Sequence, residues 1–498
     1  MTATFDIRSN YVQIINGQSS PTEATRHGLN PATLEALPNV PVATPEDLDK
    51  AADAAKAAFK IWSATPFEDR KKAVLAYADA IEAYRDEFRD LLITEQGKPA
   101  TLETDNAIIW MRGMASLPNL EDVIEDDETR TVVTRYVPLG VVGAIIPWNF
   151  PLMLATGKIA PALLTGNVII VKPSPFTPYG GLKLVELAQK FFPPGVVQSL
   201  SGDDNLGPWI TSHPAIDKIS FTGSTATGKR VLQSASRTLK RVTLELYVNS
   251  GIMQDDLTDR MIRGGNDPAI VFPDVDIEKV AEKREKLICQ VAFFAFLNSG
   301  QICLNLKRIY VHSSIFDEFR DALVRQVNGY TVGDGSKAGV SHGPLQNDMQ
   351  YSRVKTFFDD IEKQGWKVAT GGRIMPSTGY MVTPTIIDRP PDNSRIVVEE
   401  PFGPIVPLMS WDEEAEVIER ANDTSMGLGA SIWTADLERA ARVARQIQAG
   451  TVWTNDHFSL SPTAPFGGHK ESGVGTEWGL NGLKGFCNVQ TLFLKKSV

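Results

Sequence analysis

The chain has 498 residues, 42% of them hydrophobic and 22% charged, with a formal net charge of −10. That length exceeds one ordinary core and predicts two or three domains, and the composition excludes a disordered or fibrous chain. The acidic balance argues against nucleic acid or an anionic membrane as the main partner. Cys289, Cys303 and Cys487 are scattered and odd in number, which speaks against a disulfide framework and for a reducing, cytoplasmic setting.

In chain order, the first sixteen residues lack a basic-then-apolar leader pattern. Thr44-Pro45-Glu46-Asp47 reads as a helix start, with a capping hydroxyl, a first-turn proline and acids at the positive end of the dipole. An alanine-rich helix to about Trp62 should follow, then one long helix from about Glu68 to Ile93. Strand-like runs come next at 131–136 and 141–146. The apolar stretch 138–155 is broken by Pro147, Asn149 and Pro151, so no membrane-spanning helix is expected there. Strands at 167–171, 196–200, 218–221 and 242–246 alternate with helices at 179–192 and 227–234. Continuous apolar strands between helices mean a parallel sheet covered on both faces. The alternation resumes from Pro268 to Asn455, which predicts a second α/β domain. The apolar tail strand from Asn488 needs a partner edge, and another subunit could supply it.

Five segments carry chemistry. Asn298-Ser-Gly-Gln-Ile-Cys303 puts a thiol in a glycine-bearing turn after an apolar helical run. A cysteine placed so can attack a carbonyl and offer its own backbone N–H to the resulting oxyanion; taken alone it is as well read as a small buried apolar residue. Pro147-Trp-Asn-Phe-Pro151 holds Asn149 in a stiffened turn, either as a fixed amide donor or as an ordinary turn residue. Phe221-Thr-Gly-Ser-Thr-Ala-Thr-Gly228 lies at a strand-to-helix junction that can cradle a pyrophosphate or simply cap the helix, its glycines spaced unlike the usual dinucleotide fingerprint. Val171-Lys-Pro-Ser174 ends a strand with a lysine able to reach ribose hydroxyls or water. Thr243-Leu-Glu-Leu246 sets one acid in an apolar strand, where its charged form is disfavoured, as suits a general base or a locally paired buried acid.

Together with Glu399-Glu-Pro-Phe-Gly-Pro404 and Pro465-Phe-Gly-Gly-His-Lys470, these segments, in this order, resemble the NAD(P)+-dependent aldehyde dehydrogenase superfamily over nearly the whole chain. The resemblance implies an α/β fold with a Rossmann-like parallel-sheet cofactor domain (1–120 and 141–265), a second α/β catalytic domain (266–468), and a small β oligomerisation arm (121–140 and 478–498). It implies oxidation of an aldehyde to a carboxylic acid through a thiohemiacetal and thioester on Cys303. Asn149 would hold the oxyanion, Glu245 would be the general base, and Lys158 would lie near the active centre. Ile146, Pro147, Trp148, Lys172, Ser174, Gly223, Ser224, Gly228, Leu246, Glu400 and Phe402 would line the cofactor, NAD or NADP with NAD favoured; no metal is implied. A homodimer or homotetramer follows from the same likeness. Trp148, Phe150, Met153, Phe296, Ile302, Leu304 and Phe458 are candidates for an apolar substrate channel, and each is also ordinary core material.

Three departures stand out. Residues 247–263 separate Leu246 from Gly264-Gly265, which the family joins directly; they read either as an in-frame retained intron or as a surface insertion. The remaining excess length before Cys303 falls within 282–290. Pro175 stands where many NAD+-specific members carry a ribose-binding glutamate, which leaves NADP+ open. The competing expectations are a catalytically impaired dinucleotide-binding member disabled by 247–263, and a thioester or ester hydrolase that uses Cys303 and Glu245 alone.

Overall fold

Thr44 begins the first long helix as its composition dictates. Its hydroxyl accepts from the Asp47 amide at 3.3 Å, the Asp47 carboxylate accepts from the Thr44 amide, and Pro45–Trp62 follows. The computed structural model describes residues 5–99, 102–247, 265–277 and 287–497. Residues 248–264 and 278–286, and with them nearly all of the expected insertion and most of the second length excess, lie outside the described residues. The expected single helix from Glu68 to Ile93 is instead two, Phe67–Ala83 and Arg85–Gln96. Tyr84 leaves the helical region between them (φ −108°, ψ 22°), and the buried residues of both pieces, Tyr77 and Ile81 with Phe88 and Leu92, join one core cluster.

The first sheet has eight strands in the order Gly473–Val474, Arg241–Tyr247, Lys218–Ser224, Val141–Ile145, Val168–Lys172, Val197–Ser199, Gln13–Ile15 and Gln18–Ser20. Its middle five strands are parallel and the flanking ones antiparallel. The central strands and the helix Pro151–Leu164 are buried throughout, the burial that a parallel sheet covered on both faces requires. A second sheet has seven strands, ordered Val368–Thr370, Thr385–Asp388, Ile405–Trp411, Leu306–His312, Asp267–Val271, Gly429–Trp433 and Thr451–Thr454, all parallel except the first pair.

The tail strand finds its partner within the chain. Cys487–Lys495 pairs antiparallel with Arg130–Pro138, which also pairs with Glu121–Asp126. The partner edge that the tail was expected to need, and that another subunit could have supplied, comes from the chain's own strand in a nine-residue register. Among the described residues no helix is long and apolar enough to cross a membrane, and all three cysteines are free.

Candidate active site

The first sheet delivers Glu245 on the strand Arg241–Tyr247, flanked in register by Thr222 and by Gly473. The opposite wall is built by an unusual turn. After the helix Leu287–Phe296, Asn298 and Ser299 (both φ +53°) and Gly300 (φ +74°) take left-handed conformations in succession. A left-handed non-glycine residue costs roughly 1–2 kcal/mol, and such strain is retained where surrounding structure holds it. Here Ser299 Oγ donates to the Gly343 carbonyl (2.7 Å), the Ile302 amide donates to Asn305 Oδ1 (2.8 Å), and Asn305 Nδ2 donates to the Phe294 carbonyl (2.7 Å). Gly300 is required twice over, since a Cβ there would lie 2.1 Å from the Gly403 carbonyl oxygen.

This turn presents Cys303 to Glu245: the thiol donates to Glu245 Oε1 at 3.3 Å, and Thr222 Oγ1 donates to Oε2 at 3.2 Å. Both partners are buried. Burial, then repulsion from Glu477, raises the Glu245 carboxyl from 4.5 to about 7; Lys158, Cys303 and Thr222 act the other way. Burial and the facing Glu245 push the Cys303 thiol well above its ordinary range. At rest the pair therefore disfavours two negative charges and holds a proton between them.

Lys158 lies in the fully buried helix Pro151–Leu164 and forms an ion pair with Glu477, whose Oε1 also accepts from Ser220 Oγ at 3.3 Å. Asn149 is 1% exposed. Its Nδ2 donates to the Gln301 carbonyl at 3.1 Å, two residues before the cysteine. One amide hydrogen is thereby anchored, leaving the other to point elsewhere in the same plane. Cys303, Glu245, Asn149 and Lys158 thus sit in one neighbourhood, joined by Thr222 and Gln301, which lie within the motif segments without a role of their own, and by Glu477, which the sequence did not single out.

The cofactor candidates fall into two groups. Ser224 caps the helix Thr225–Ala235, accepting from the Thr227 amide at 3.1 Å, and the other first-turn amides have no acceptor within their helix. Gly228 lets that helix lie against the neighbouring strand, because a Cβ would come 2.4 Å from the Leu246 side chain. Gly223 pairs with Leu246 in the sheet. At the adjacent strand end the Ile146 amide donates to the Lys172 carbonyl, and Ser174 Oγ accepts from Phe176. The Lys172 ammonium is buried, makes one long 3.5 Å contact to the Pro173 carbonyl, and is pushed down by burial to about 8. A buried cation with so little local compensation fits an anionic, hydroxyl-rich ligand. The second group lies near Cys303. Glu400 is fully buried and accepts from the Gly265 amide at 3.2 Å. Phe402 meets Trp148, which follows Pro147, edge-on at 5.6 Å. Gly265 needs its missing side chain, as a Cβ would lie 1.7 Å from the Cys303 carbonyl oxygen.

One channel candidate is displaced. Phe296 is enclosed in the core of the second sheet with Leu306 and Ile309 rather than against the Cys303 cluster. Phe294, half-buried, faces the other way and stacks on Phe458 at 5.9 Å. It also meets His457, whose ring nitrogen donates to the Leu304 carbonyl at 2.6 Å.

Residues 18–492 match the model of the aldehyde dehydrogenase family. The chain belongs to that family. It is 40% identical over 488 residues to the aldehyde dehydrogenase LUC3 of a Fusarium species, covering 97% of this chain and 98% of the relative. It is 36% identical over 504 residues to a cytosolic aldehyde dehydrogenase of Rattus norvegicus, covering 99% and 94%. Among solved structures, the NAD+ complex of the Bacillus cereus aldehyde dehydrogenase superposes with a TM-score of 0.90 at 34% identity, over 99% of this chain and 98% of that one. The enzyme is therefore an NAD(P)+-dependent aldehyde dehydrogenase with the α/β fold of that family.

Proposed function

We propose that Cys303 is the nucleophile of this aldehyde dehydrogenase, Glu245 its general base and Asn149 its oxyanion donor. The observation that carries the assignment is the 3.3 Å contact from the Cys303 thiol to Glu245 Oε1. Glu245 takes the thiol proton as sulfur attacks the aldehyde carbon, and the alkoxide of the thiohemiacetal is held by the Asn149 amide. A bound nicotinamide supplies the acceptor for the hydride lost from that carbon. Glu245, near 7, releases the thiol proton to solvent once the thioester has formed, and as the carboxylate it then removes a proton from the water that hydrolyses the Cys303 thioester to the carboxylic acid. Lys158 and Glu477 set the field at Glu245 from opposite signs.

The pyrophosphate and adenosine side of the cofactor would be held by Lys172, Ser174 and the Gly223-Ser224…Gly228 turn. The nicotinamide side would meet Ile146, Pro147, Trp148, Leu246, Glu400 and Phe402. NAD+ is favoured over NADP+. Pro175 offers no carboxylate, but Asp204 and Asp203 act on Lys172 from nearby and would repel a 2′-phosphate. The two large sheets support a cofactor domain of 1–120 with 141–265 and a catalytic domain of 266–468. The three-stranded sheet supports the arm of 121–140 and 478–498. Its exposed Val123, Ile124, Val489 and Phe493 favour a homodimer or homotetramer, and the cytosolic rat relative favours a cytoplasmic setting. Reduced cofactor absorbing at the expense of a test aldehyde, lost in Cys303→Ser, tests the assignment; turnover surviving that substitution overturns it.

A further inference from the structure

Behind the oxyanion donor lies a buried charge pair that the reaction as described does not use. Lys98 and Glu103 form an ion pair with both side chains at most 1% exposed. The Lys98 ammonium also donates to the Asn149 backbone carbonyl at 2.6 Å and sits 3.8 Å from the centroid of the Phe150 ring. The Glu103 carboxylate faces the same segment from the other side. Its Oε1 accepts from the Leu152 and Met153 amides at 2.8 and 3.2 Å, at the first turn of the helix Pro151–Leu164. Asn298 Nδ2 makes a weaker second contact to the Asn149 carbonyl at 3.4 Å.

Two charges removed from water are costly unless their geometry is tightly satisfied, and a neutral turn could have held this loop without them. What the pair adds is direction. It fixes the Asn149 peptide by its carbonyl and the next helix by its amides, while Gln301 fixes the side-chain amide through Nδ2. A donor to an oxyanion acts only within a few tenths of an ångström of its place. We propose that Lys98, with Glu103, is a positioning residue that holds the Asn149 amide toward the oxyanion formed on Cys303. The inference rests on the roles of Cys303 and Asn149 given above.

The test separates oxyanion formation from thiol reactivity. p-Nitrophenyl acetate acylates a thiolate through a tetrahedral oxyanion: a C–S bond forms, the ester C–O bond breaks, and p-nitrophenolate leaves. Iodoacetamide alkylates the same sulfur by displacing iodide, with no oxyanion. The double variant Lys98→Met/Glu103→Gln removes both charges and keeps the Glu103 oxygen that accepts from the helix amides. It is expected to slow the acylation burst and kcat for aldehyde oxidation by roughly 10–100-fold, below the loss for deleting an oxyanion donor outright. Alkylation by iodoacetamide should stay within about twofold. In an Asn149→Ala background the same pair of substitutions should cost less than about twofold, because groups acting as one unit are not additive. An unchanged burst in Lys98→Met/Glu103→Gln, or losses that multiply in the Asn149→Ala background, overturns the proposal. If that double variant does not fold, as judged by near-ultraviolet circular dichroism, Lys98→Arg keeps the charge, displaces the ammonium and carries the same comparison. No burst from the unsubstituted chain overturns the Cys303 assignment along with this one. A normal burst indifferent to Lys98 overturns this one alone.

Discussion

At alkaline pH, Glu245→Gln is expected to make the protein more stable while removing its turnover. In the folded chain the Glu245 carboxyl lies near 7, against an ordinary 4.5, chiefly because it is buried and faces Glu477. Between those pH values the folded state keeps a proton that the unfolded chain has released, so stability falls as pH rises through the interval. Below about 4.5 the cost is absent; above about 7 it is fully present. Holding a carboxyl that far from its ordinary value corresponds to about 3 kcal/mol. Glutamine keeps one acceptor oxygen, for either Thr222 or Cys303, as the protonated acid does, and never ionises. Urea unfolding of both proteins should therefore show nearly equal stability at pH 4, with the variant ahead by up to about 3 kcal/mol at pH 8.5. A variant no more stable at pH 8.5, or equally ahead at both pH values, refutes the claim that this buried acid is held ionisable at a cost to the fold.

Other outcomes follow from the same geometry. The rising limb of the kcat profile, set by Glu245 near 7, should move up in Lys158→Met, which removes a cation that lowers it, and down in Glu477→Gln, which removes the anion that raises it; shifts in the opposite senses would contradict the field described. Gly300→Ala must place a side chain at φ +74° with its Cβ 2.1 Å from the Gly403 carbonyl oxygen. It should cost at least about 1–2 kcal/mol in urea unfolding and lower kcat at least tenfold, and a neutral result would show that the turn is not strained as described. The ratio of kcat/KM for NAD+ over NADP+ should exceed one and should fall in Asp203→Asn/Asp204→Asn; a ratio below one in the unsubstituted enzyme would mean those acids do not govern the choice.

The parts of this enzyme legible in its sequence are those fixed by local chemistry. Thr44 with Asp47 marks a helix start because both capping bonds are made within four residues, and the buried parallel strands show as uninterrupted apolar runs. The contact between Cys303 and Glu245 joins two positions that stood out in the sequence because a glycine-bearing turn and an acid in an apolar strand are locally unusual. Tyr84 gave no warning of the helix break it makes, since neither proline nor glycine stands there and the angle is set by packing. Phe294 and Phe296 differ by only two residues, yet helix rotation sends one to Phe458 and the other to the second sheet's core. Glu477 and Lys98 act across separations of 319 and 51 residues, distances at which pattern carries no information about pairing.

The central claim is that Cys303 carries the acyl group and Glu245 removes it. Glu245→Gln, which attacks slowly without its base and cannot deacylate, is mixed with aldehyde and NAD+, left until reduced cofactor stops forming, quenched in acid and digested for mass analysis; it should show the acyl mass on the peptide bearing Cys303, with one equivalent of reduced cofactor formed. Reduced cofactor appearing without that adduct, or an adduct that persists elsewhere in Cys303→Ser, would contradict it.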